Sequence, residues 1–154
     1  MAVARPLVIG IGNPFAGDDA AGRLVARRLA ETVESVDVAQ ATGMASEIIA
    51  LFEGRERVFI IDACHSGCPP GSLHRFDARE GPLPAGLSNL STHGVGLTAA
   101  IELARALGGL PPNCIVYAIE GECFDLGAEV SSSVSSNIER LVERVTDEIN
   151  RGSA

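Results

Sequence analysis

The side chains best suited to bind a metal or move a proton fall in three stretches. Asp18 and Asp19 close a glycine-rich turn, VIGIGNPFAGDDAAG (Val8 to Gly22). Asp62 ends the apolar run VFIID (Val58 to Asp62), and His93 stands in STHGVGL (Ser91 to Leu97). Two carboxylates and one imidazole, with positions left for water or substrate, suit a divalent metal of intermediate hardness such as nickel, iron, manganese or zinc. A protonated imidazole is disfavoured at the positive end of a helix, so a neutral, metal-binding form fits His93 at a helix start.

Other chemistries of the turn fit less well. Gly10-x-Gly12 begins like a dinucleotide fingerprint, but Phe15 occupies the third glycine position and no acid follows a second strand at the expected distance. Gly12 and Gly17 have phosphate-loop spacing, yet Asp18-Asp19 replaces the Lys-Ser/Thr pair and would repel a phosphate. A purely structural reading makes Asp18 a helix cap and Asp19 a partner of the helix dipole, each contributing about 1 kcal/mol or less. That reading covers one acid and leaves the second unused. Asp62 alone reads more readily as a turn or cap residue, and it is its convergence with Asp19 that reverses that preference.

The remaining histidines and cysteines carry weaker signals. His74 lies in the alternating segment SLHRF, where solvent is its expected environment. Cys64, His65 and Cys68 suggest a soft-metal site, although C-H-x-x-C lacks a second ligand pair. The four cysteines show no C-x-x-C spacing and read as reduced thiols. The chain has no H-E-x-x-H, no G-x-S-x-G and no Asp-Thr-Gly loop, so any hydrolysis has to come from the metal site.

These residues need elements to hold them. Leu7 to Gly12 reads as a buried first strand, and an amphipathic helix from about Asp18 to Val33 buries Ala21, Leu24, Val25, Leu29 and Val33 while Arg23, Arg27 and Glu31 take the other face. Val36 to Ala39 is a short second strand, followed by the turn Thr42-Gly43 and a helix carrying Met44, Ile48, Leu51 and Phe52. Val58 to Asp62 is a third strand, and Ser72 to Phe76 an extra edge strand. Thr92 caps a helix from His93 to about Leu107, and Cys114 to Ile119 is another buried strand. Serines 131 to 133 cap a last helix with Val134, Ile138, Leu141, Val142, Val145 and Ile149 on one stripe. The expected fold is α/β: a single domain with a mostly parallel twisted sheet of about five strands and helices on both faces. If the second strand lies outside the first, strands one and three are neighbours, and Asp19 and Asp62 face one crevice at their C-terminal ends.

The 154 residues, 46% hydrophobic, suffice for one core. A net charge of -8 argues against nucleic acid or an anionic membrane as partner. No stretch approaches the roughly twenty apolar residues of a spanning helix, and the N-terminal apolar run passes into the turn without a cleavage site, so a cytoplasmic protein without membrane insertion is expected.

Taken in order, three segments resemble the hydrogenase maturation proteases, which trim the C-terminus of the large subunit of nickel-iron hydrogenases: GIGNPFAGDDAAG, VFIIDA and STHGVGL. Weaker echoes are Thr42-Gly43 and AIEGE after the last strand. The resemblance implies one domain over residues 1–154 and nickel recognition through Asp19, Asp62 and His93, the nickel being borne by the substrate. It implies an endopeptidase, aspartic-type in family classification, that acts on the large-subunit precursor and so activates the hydrogenase. Asp19 and Asp62 would be its catalytic residues, with Asn13, Thr42 and Gly43 in substrate-binding positions. The sequence departs from the family pattern at Gly121, where many members have proline, and at Gln40-Ala41, where an acidic residue usually precedes Thr-Gly. The alternative is a non-catalytic nickel carrier or metal-sensing module using the same site.

Overall fold

The computed structural model describes residues 4–84 and 92–152, the side chains of 92–95 excepted. Strands β1 (Leu7–Ile11), β2 (Asp37–Ala41), β3 (Arg57–Cys64), β4 (Leu73–Asp77) and β5 (Asn113–Glu120) form one sheet in the order β2-β1-β3-β5-β4. The pairs β1–β2, β1–β3 and β3–β5 are parallel, and β4 is an antiparallel edge on β5. The interior strands are unbroken apolar runs because both sheet faces are covered.

A 3-10 turn (Gly17–Ala20) leads into α1 (Ala21–Thr32), followed along the chain by α2 (Ala45–Phe52), α3 (Thr92–Leu107), the single turn α4 (Ser132–Ser135) and α5 (Ile138–Arg151). Helices α1 and α5 pack on one face, where Val25, Leu29, Leu141 and Val145 meet Phe59, Ile61 and Ile119. Helices α2 and α3 cover the other, where Ile48, Leu97 and Ile101 meet Ile9, Ile60 and Val116. Each fully buried Leu, Ile or Val contributes about 1.5–3 kcal/mol before conformational entropy is subtracted.

Two expectations are corrected. The first helix does not start at Asp18: residues 17–20 form a tighter 3-10 turn, and neither it nor α1 has a side-chain cap. The last helix is broken, with α4 separated from α5 by Ser136 and Asn137. The edge strand lies where it was expected, but its antiparallel direction places its first residues beside the C-terminal end of β5.

Candidate functional site

Strand order reverses between β1 and β3, since β2 lies outside β1 and the chain then crosses to β3. Ligands in open α/β sheets gather at such a point, beyond the C-terminal ends of the strands. The turn carrying Asp19 packs there against β3, which carries Asp62. Gly12 makes the approach possible: its φ is +145°, and a Cβ there would lie 1.9 Å from the Asp19 carbonyl oxygen. The Asn13 N–H donates to Asp19 Oδ2 at 2.8 Å, while Asn13 Oδ1 accepts from the Phe15 N–H at 2.9 Å. Asn13 thus shapes the turn as well as holding the acid.

Asp19 and Asp62 are only 3% and 5% exposed. The Ala63 N–H donates to Asp62 Oδ1 at 2.8 Å. Asp62 also lines a small cavity with Leu83, Leu97, Thr98 and Val116. In the same cavity wall, the Thr98 hydroxyl oxygen is buried without a hydrogen-bond partner among the described residues. Such a group costs about 1–3 kcal/mol when unsatisfied, so it marks a place where a ligand or water gains a bond.

His93 lies in the first turn of α3, and its side chain is outside the described residues. What places that turn is Gly96, where a Cβ would fall 1.9 Å from the Gly43 carbonyl oxygen. Only a glycine lets α3 lie against the β2–α2 loop, which explains the second glycine of HGVGL and the Thr42-Gly43 pair together. Thr42 donates to Glu47 through its N–H at 2.7 Å and its hydroxyl at 3.2 Å, fixing that loop to α2.

Asp18 differs from its neighbour. Fully buried, it accepts hydrogen bonds from the backbone N–H groups of Glu122 (2.7 Å), Cys123 (3.1 Å) and Ser131 (2.7 Å) and from the Ser131 hydroxyl (2.9 Å). Burial alone would raise its pKa, but these donors hold the carboxyl below its ordinary range. Asp18 is therefore a staple between the glycine turn and the loop after β5, and the cap reading fails for it.

Three further residues gain partners that local pattern did not reveal. Arg23, expected on the solvent face of α1, donates to the carbonyls of Gly12 and Ala41 and so clamps the ends of β1 and β2. His74, expected in solvent, is half-buried with Nε2 3.2 Å from Glu120 Oε1. Alternation along β4 is as read, but the antiparallel edge turns His74 toward the α3 side, with Phe76 beside it. Glu120 is fully buried and receives the Ser66 N–H and hydroxyl and, at 3.4 Å, the Cys64 thiol. Burial opposes its ionisation, yet the Ser66 hydroxyl and amide, the thiol and the ring together keep its pKa below the usual value. Burial and the Glu120 carboxylate push the Cys64 thiol up. The C-H-x-x-C stretch does not close into a site as read: Cys68 and His65 are exposed, and the His65 ring lies against Phe124. All four cysteines are free, and no helix among the described residues is long and apolar enough to cross a membrane.

Residues 23–148 match the family model described as hydrogenase maturation protease, a span that includes Asp62 and His93 and begins after Asp19. The hydrogenase expression/formation protein HupD of Thiocapsa roseopersicina is 28% identical over 132 residues, covering 83% of this chain and 60% of that protein. The chain thus spans about 60% of the length of that curated relative. The solved structure of the [NiFe] hydrogenase maturation protease HybD from Thermococcus kodakarensis superposes with a TM-score of 0.77 at 28% identity, covering 94% of this chain and 99% of that one. The hydrogenase maturating endopeptidase HybD from E. coli shares the fold, with a TM-score of 0.83, 23% identity and coverage of 96% and 93%.

Proposed function

The chain belongs to the hydrogenase maturation protease family, and on that premise we propose that it is an endopeptidase removing the C-terminal extension of a nickel-iron hydrogenase large-subunit precursor after recognising the nickel that precursor carries. The observation carrying this reading is the placement of two nearly fully buried acids where strand order reverses, Asp19 in the turn that follows β1 and Asp62 near the C-terminal end of the adjacent β3. In this reading Asp19, Asp62 and His93 contact the substrate's nickel, a borderline ion that accepts carboxylate and imidazole ligands.

For peptide hydrolysis, one carboxylate of the pair takes a proton from the attacking water, and Asp62 is the better placed because it lines the cavity beside the Thr98 hydroxyl, which has no partner among the described residues. The proton then passes to the leaving amine as the carbon–nitrogen bond breaks, returning the carboxylate to its starting state. Thr98 would orient the water or the scissile carbonyl. Phe15 and Leu126, 74% and 78% exposed, sit on two loops joined by the Gly127 N–H to the Phe15 carbonyl at 2.8 Å and offer an apolar seat for the precursor segment.

The test mixes the pure protein with nickel-loaded precursor and follows the precursor's mass. Loss of a C-terminal peptide is expected. An unchanged mass with metal binding intact would favour a nickel carrier instead. Asp62→Asn is expected to bind precursor without cutting it, and full activity in that variant rules out Asp62 as the base.

A further inference from the structure

We propose that Cys64, His74 and Glu120 form a metal site of their own, with a thiolate, an imidazole and a carboxylate as ligands, suited to zinc or another borderline divalent ion. The site stands whether or not the chain cleaves a precursor, since it uses none of the residues assigned to that task.

Three strands converge to make it. Cys64 and Glu120 are register partners at the ends of β3 and β5, and His74 lies opposite Ala118 on the antiparallel edge, so its side chain reaches Glu120 on the same sheet face. Glu120 Oε1 is 3.4 Å from the Cys64 sulfur and 3.2 Å from His74 Nε2, and one donor atom from each residue lies within 4.8 Å of the other two. Zinc bonds of roughly 2.0–2.3 Å at tetrahedral angles put neighbouring oxygen, nitrogen and sulfur ligands about 3.3–3.5 Å apart. Two edges of that figure are therefore already formed.

The surroundings match those of a ligand set. Cys64 and Glu120 are buried on rigid interior strands, while His74 retains 23% side-chain exposure and gives an ion a way in. The Ser66 N–H reaches Glu120 Oε2 at 3.0 Å, so that oxygen stays held when Oε1 turns to an ion, as outer-shell bonds do for metal carboxylates. Three protein ligands leave a fourth position for water or another molecule, which is the pattern of an exchangeable site. Asp62 lies one pleat repeat, about 6.6 Å, back along β3, so the two sites would be neighbours on one face.

Cobalt(II) separates them, because only a thiolate ligand produces a sulfur-to-cobalt charge-transfer band in the near ultraviolet. Metal-free, reduced protein titrated with cobalt chloride is expected to develop this band to saturation at one equivalent and to lose it on addition of zinc. Cys64→Ser should abolish the band, His74→Gln should weaken cobalt binding at least tenfold, and Asp62→Asn should leave the band in place. Absence of the band in the unmodified protein overturns the proposal, as does its persistence at full strength in Cys64→Ser. If Cys64→Ser does not fold by circular dichroism, His74→Gln decides, and unchanged affinity there overturns the site.

Discussion

At the rim where β1, β3 and β5 end, Asp18 and Glu120 are fully buried and bonded to backbone amides, hydroxyls, a thiol and an imidazole. Along the outer helices and at the opposite rim, carboxylates meet guanidinium groups instead: Asp37 with Arg5 and Arg55, Glu139 with Arg28, and Glu148 with Arg75. In both regions the carboxyls are held below their ordinary pKa, Asp37 and Glu139 by their arginines and Glu148 by Arg75 acting against burial. The difference lies in what remains. A guanidinium cancels the charge it stabilises, whereas an amide stabilises a carboxylate and leaves its negative charge for the neighbourhood. The arginine at the site rim, Arg23, bonds to carbonyl oxygens and the Gln40 side chain. One rim is thereby kept ready for a cation, whereas in these surface pairs the charges offset each other locally.

Substitutions at the two regions should separate in size. The largest effect is expected at Asp62, where alanine should lower precursor cleavage about 10²–10⁴-fold, the usual contribution of a general base, as read from the rate of peptide release. Next is Asp18→Ala, which leaves three backbone N–H groups and a hydroxyl without their acceptor. A loss of about 3 kcal/mol in urea unfolding is expected, and Asp18→Asn should recover part of it. A loss below about 1 kcal/mol would show that the staple matters little.

The pH dependence is smaller and has a definite sign. Asp18 and Glu120 ionise at lower pH when folded than their ordinary values of 3.8 and 4.5, so the unfolded chain binds more protons on the acid side. Their stabilisation is complete above about pH 5 and is lost as pH falls through the folded values. Urea midpoints measured from pH 7 down to pH 3 should fall, and Asp18→Asn should flatten that slope. The smallest effect belongs to the exposed surface pairs: Arg28→Ala removes the pairs with Glu139 and Glu31 and should leave the urea midpoint unchanged within error.

What could be read in the sequence was what local pattern encodes. VFIID, the helix from residue 92 to 107 and the glycine turn all follow from periodicity or backbone demands within a few positions. Asp18 could not be read, because its partners stand 104 to 113 residues away. His74 shows the same limit: alternation identified an edge strand, but only its direction against β5 decides which face is buried. Glu120 stood out in the sequence only as the acid of the AIEGE echo and through the glycine after it, neither of which revealed its partners. Serines 131–133 did mark a helical start, but nothing local signalled the break before Ile138.

The Asp18 staple also has a consequence in time. A ribosome delivers the glycine turn first, yet the amides and hydroxyl that fix Asp18 arrive only with residues 122 to 131. At roughly 5–20 residues per second that interval lasts several seconds or more, during which the turn lacks its final restraint. A nascent chain therefore cannot complete the acidic rim until residue 131 has been made, so a fragment that stops short of Ser131 would not carry a finished site.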